Sequence, residues 1–144
     1  MKTKYVRYLV LFALSSLLAA FARADAAAYS QVLKERDAVL SQILALRESR
    51  LASGVGDDSA VLAARIALWS FRRDTASSKQ EKIKQQEYIV RAHEKRLSVL
   101  KGRVAVGVDG DDNVLFATDE LLQAKQLLEE LRLDERAGLT RRSP

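Results

Sequence analysis

Proline occurs once in the chain, at the last position, Pro144. Every earlier position is thus free of the one side chain that breaks a helix interior by deleting a donor and colliding with the preceding turn. Apolar residues use that freedom at helical spacing. Leu62, Trp69, Ala76, Ile83, Val90, Leu97 and Val104 hold one seven-residue phase. Val114, Ala117, Leu121, Ala124, Leu128 and Leu131 alternate spacings of three and four. Val32, Val39 and Leu46 are again seven apart, with Leu33, Leu40, Ile43 and Leu44 expected on the same side. Apolar a and d positions flanked by Lys, Glu, Arg and Gln are the pattern of helices packed by knobs into holes. The expected fold class is all-α: long antiparallel helical hairpins with coiled-coil-like packing.

How many helices there are turns on "RRDTASSKQEKIKQQE", which offers only Ala76 and Ile83 as apolar contacts. The heptad phase crosses this stretch without a slip and no Gly or Pro interrupts it, which favours one continuous helix from about Ser59 to Val104 and three helices in all. Ser78-Lys79-Gln80-Glu81 matches a capping box. If that box is used, the central helix breaks near 74–80, and four helices form an up-down bundle with both remaining turns at one end.

Those turns are copies of each other. Shifted by 53 positions, "RLASGVGDDSAVLAARIAL" (50–68) aligns without a gap on "RVAVGVDGDDNVLFATDEL" (103–121), with nine identities in nineteen positions. In each copy a glycine (Gly54, Gly107) follows the last helical residues, where a left-handed C′ position favours it. Basic residues (Arg50; Lys101, Arg103) precede the glycine and acids (Asp57, Asp58; Asp111, Asp112) follow it, matching the signs of the helix ends they border. Val61-Leu62 and Val114-Leu115 then restart the packed stripe.

The first residues, "MKTKYVRYLVLFALSSLLAAFARADA", have the layout of a secretory signal peptide. Lys2, Lys4 and Arg7 precede an apolar run, Tyr8 to Phe21, that is shorter than the roughly 20 residues of a membrane span. Ala22-Arg23-Ala24 is the expected cleavage site. The expectation is a periplasmic chain cleaved after Ala24, with a single helical domain over 25–137 and a frayed tail over 138–144. Removing Lys2, Lys4, Arg7 and Arg23 from the 24 basic residues leaves 20 against 19 acids. The basic balance belongs to the leader, which argues against a nucleic-acid footprint. There is no cysteine, so stability rests on apolar burial without disulfides.

Catalytic constellations are thin. His93, the single histidine, lies between Val90 and Leu97 with no second His and no Cys to partner it, and no glycine opens a phosphate loop. Asp109, Asp111 and Asn113 occupy positions 1, 3 and 5 of an EF-hand-like loop and Glu120 position 12, but Val114 stands where glycine is required. Acidic capping explains the same residues without a metal. Trp69 lies on the heptad stripe and is expected in the core. No cofactor is expected, and the chain is read as non-enzymatic.

An Arg four residues before a turn glycine, followed by Val-Leu-x-Ala and a helix rich in Leu, Ala and Gln, resembles the periplasmic-end turns of TolC-type outer-membrane efflux proteins. "VGVDGDDNVLFATDELLQAKQLL" (106–128) carries the closer likeness, in Val-Gly, Val-Leu-x-Ala and Ala-Lys-Gln; "SGVGDDSAVLAARIAL" is the weaker copy. The resemblance implies that the turns dock membrane-fusion adaptor proteins, with Arg50, Gly54, Val55, Asp57, Asp58, Arg103, Gly107, Val108, Asp111 and Asp112 as the partner-binding positions. The chain departs from the family in being about a third of its usual length, in carrying no alternating strands of a membrane barrel, and in its short repeat spacing. A stand-alone hairpin module is the form that fits, binding envelope or efflux partners or itself. The alternative reading is a periplasmic holdase that cradles unfolded outer-membrane proteins between charged helical arms.

Overall fold

The backbone of residues 2–140 and the side chains of 25–138 are described in a computed structural model of the chain. Among the described residues four helices run in order: α1 (Lys2–Ala52), α2 (Asp58–Thr75), α3 (Lys79–Ala105) and α4 (Asp111–Thr140). The fold is all-α. Among the described residues no helix is long and apolar enough to cross a membrane. The side chains of the leader, 1–24, and residues 141–144 of the expected frayed tail lie outside the described residues; α4 itself continues through Thr140.

The continuous central helix is not formed. Ala76 (ψ 135°) and Ser78 (ψ 148°) are both extended, which separates α2 from α3. The reason is local. At the end of α2 the Thr75 hydroxyl donates back to the Phe71 carbonyl, and the Ser78 Oγ accepts the Glu81 N–H at 3.1 Å, starting a fresh helix. Only half of the capping box is made, because the Glu81 carboxylate accepts from the Gln85 side chain. The unbroken heptad phase misled because Trp69 on α2 and Ile83 on α3 face one core from two antiparallel helices.

The chain forms two compact units, Met1–Arg36 and Asp37–Pro144, so the boundary between them falls inside α1. In the first unit Leu33 is half-buried and Tyr29 and Val32 are exposed. In the second unit α2 packs on α3 and α3 on α4. Its core comprises Ile89 and Val90 of α3 with Leu121, Ala124 and Leu128 of α4, flanked by Ile66, Trp69, Ile83 and Leu97. Each fully buried Leu, Ile or Val contributes about 1.5–3 kcal/mol relative to exposure. Trp69 lies 5.3 Å from the Tyr88 ring, a core position as expected.

Antiparallel register is written in polar pairs. Glu87 meets Arg132 at 2.9 Å and Glu94 meets Lys125 at 2.9 Å, so residue numbers fall along α4 as they rise along α3. On the other side of α2, Arg72 makes a bidentate pair with Asp37 (2.7 and 2.9 Å), and Arg65 reaches Glu48 at 2.6 Å. The face of α1 turned to these partners carries the half-buried Leu40 and Leu44. Val39, Ile43 and Leu46 are exposed, so the seven-residue phase read in α1 marks its outer face.

Candidate functional site: the paired turns

The repeat in the sequence is a repeat in the backbone. Gly54 and Gly107 have φ of +76° and +75°. Their N–H groups donate to the carbonyls of Leu51 and Val104 at 3.0 and 2.9 Å, and the next N–H groups, of Val55 and Val108, donate to Arg50 and Arg103 at 3.0 and 2.9 Å. That is the Schellman motif, made twice with equivalent partners. Downstream, Ala60 donates to the Asp57 carbonyl and Asn113 to the Gly110 carbonyl, again 53 residues apart. Since α2 leads away from the first turn and α3 returns, both turns lie at one end of the second unit.

The caps differ between copies. Asp57 is itself the N-cap of α2: its Oδ1 accepts the Ser59 N–H at 3.3 Å and its other oxygen the Ser59 hydroxyl. In the second copy the equivalent position is Gly110, and the carboxylate moves back one residue. Asp109 Oδ1 accepts the Gly110 N–H at 3.0 Å and the Asn113 amide. Within the second copy the Arg103 Nε lies 3.3 Å from Asp109 Oδ2. Both carboxyls are held below the usual range, Asp57 chiefly by the Ser59 hydroxyl and Asp109 chiefly by the Asn113 amide, with Arg103 assisting each.

The structure therefore pairs Arg103 with Asp109, which was read only as a calcium position. Arg50 contributes its carbonyl, which accepts from Val55 and from the Ser53 hydroxyl. Asp58, Asp111 and Asp112 are exposed in the first turns of α2 and α4. A calcium loop starting at Asp109 would be helical from its third residue, since α4 begins at Asp111. Glu120, its twelfth position, is held by Arg96.

Val55 and Val108 are 83% and 64% exposed, so the fold buries neither. In such turns an apolar residue after the glycine usually packs three or four residues back; here the position three back from each helix end is an arginine. Val106, Leu115 and Phe116, adjoining the second turn in sequence, are exposed as well. Leu115, expected to restart the packed stripe with Val114, is instead exposed, because it and Phe116 fall off the spacing of Val114, Ala117 and Leu121.

A second polar cluster lies on the faces of α2, α3 and α4. Gln86, 1% exposed, accepts from Arg73 at 2.7 Å and donates to the Ala124 carbonyl at 2.7 Å. Near it His93 turns Nδ1 towards Glu120 at 3.7 Å, without a hydrogen-bond partner. No family model, curated protein or solved structure matches the chain.

Proposed function

We propose that this chain is a non-enzymatic, exported helical-hairpin module that binds a protein of the cell envelope, or a second copy of itself, through its paired turns. The observation that carries this reading is the Gly-Val pair kept in both copies. The glycines serve the backbone, but the valines stand in solvent at the same end of the unit and serve no internal packing. Acids around them (Asp58, Asp111, Asp112) keep that end soluble. The likeness to TolC-type turns points to adaptor proteins of export machinery as the partner class. Export itself rests on the basic, apolar and small-residue succession of 1–24, and N-terminal sequencing of the periplasmic protein should begin at Asp25.

The test is crosslinking in envelope extracts with wild type and with Val55→Asp plus Val108→Asp. Both valines are exposed, so the variant should keep its helicity and melting temperature while losing one specific partner. An unchanged crosslinking pattern overturns the docking role. The exposed face Val39, Ile43 and Leu46 favours the second reading, a holdase. On that reading both proteins suppress aggregation of a denatured porin equally.

A further inference from the structure

Between α2 and α4, above α3, runs an open groove of about 270 Å³ whose lining includes Ile66, Arg73, Gln86, His93, Glu120 and Leu127. His93 is the chain's only histidine, and its side chain is 12% exposed. The Nδ1 atom is sealed from solvent and has no hydrogen-bond partner. The nearest acceptor, Glu120 Oε2, is 3.7 Å away, beyond hydrogen-bond length, and that carboxylate is already clasped by Arg96. The charged groups around the ring are thus Arg96 on its own helix, Glu120 on α4 and Arg73 on the α2 side of the groove. Arg73 is engaged by Asp74 and Gln86.

We propose that His93 is a proton-operated latch on the α3–α4 seam, closed while the imidazole is neutral and released when Nδ1 takes a proton. The imidazolium must donate from both ring nitrogens. At Nδ1 it can do so only by drawing the Glu120 carboxylate away from Arg96 by about 1 Å, towards the usual charge-assisted length, or by admitting water through the groove. Either response loosens the seam around the Arg96–Glu120 pair, which joins α3 to α4 alongside Glu87–Arg132 and Glu94–Lys125. The latch is a property of the groove and goes beyond partner docking at the turns.

Burial pushes the His93 pKa below its ordinary 6.5; Glu120 pulls the other way and Arg96 adds to the lowering. A folded pKa below the unfolded one means that the unfolded chain binds more protons between the two values. The contribution of neutral His93 is complete above pH about 6.5 and is lost as pH falls through 6.5 towards the folded value. No other side-chain type titrates between pH 5 and 8 when unperturbed, so the window is specific to this residue.

The experiment uses the full chain. The imidazole C–H signals should titrate below 6.5, moving lower still in Glu120→Gln and upwards in Arg96→Gln. From pH 7.5 to 5 the melting temperature of wild type should fall by at least about 3 °C. Amide exchange on 117–128, corrected for intrinsic rates, should accelerate severalfold. His93→Gln should flatten both responses. A wild-type titration at or above 6.5 overturns the latch, as do parallel pH profiles for wild type and His93→Gln. The titration needs no variant, so a misfolded substitution leaves the test intact.

Discussion

Three glycines separate backbone demand from mere tolerance. At Gly54 and Gly107 a Cβ would meet nothing within 4 Å, so space is not the issue; φ of +76° and +75° is. Forcing an L side chain into the left-handed region costs roughly 1–2 kcal/mol per residue. Gly102 lies inside α3, also with open space around a would-be Cβ and with no positive φ. There the glycine only adds flexibility to the unfolded chain. We expect Gly54→Ala and Gly107→Ala each to lower stability by about 1 kcal/mol or more, and Gly102→Ala to raise it by about 0.5–1 kcal/mol. Urea unfolding of the three variants measures this. Equal effects at all three sites would show that positive φ is not what the turns require.

At the scale of elements, the α2–α3 connection hangs on Ser78. Its hydroxyl satisfies the Glu81 N–H, one of the donors a new helix leaves without an intrahelical partner. Ser78→Ala should cost about 1 kcal/mol in the same unfolding experiment, and Ser78→Asp should retain most of the stability. Equal stability of Ser78→Ala and wild type would remove the cap as the cause of the break. The capping box was readable in the residues, but whether it or the heptad phase prevails is decided by packing, which a linear pattern does not contain. Along α4 the three-and-four spacing of Ala117, Leu121, Ala124 and Leu128 located the buried stripe correctly. α1 offers two apolar faces, and spacing could not say which one α2 covers; the charged partners Asp37 and Glu48 decide it. The turns were legible because they repeat. The Arg103–Asp109 pair was not, since it depends on where the side chain reaches once the chain has turned.

For the molecule as a whole, the distribution of burial sets what can be removed. Every buried hydrophobic residue among those described lies between Val61 and Leu128, inside the unit that starts at Asp37. The ion pairs that α1 makes with α2, Asp37–Arg72 and Glu48–Arg65, also lie within that unit. Hydrophobic burial is the dominant favourable contribution to folding, and half-exposed ion pairs add only about 0–1 kcal/mol each. A chain beginning at Asp37 therefore retains the contacts that stabilise the second unit. We expect it to unfold cooperatively with a melting temperature within about 2 °C of the full chain, because a loss of 1 kcal/mol would already move a domain of this size by several degrees. Residues 25–36 should contribute helical signal that fades separately and at lower temperature. Calorimetry of the two chains, read beside far-ultraviolet circular dichroism, distinguishes the cases: a drop of more than about 5 °C in the truncated chain would mean that the second unit depends on the first for stability.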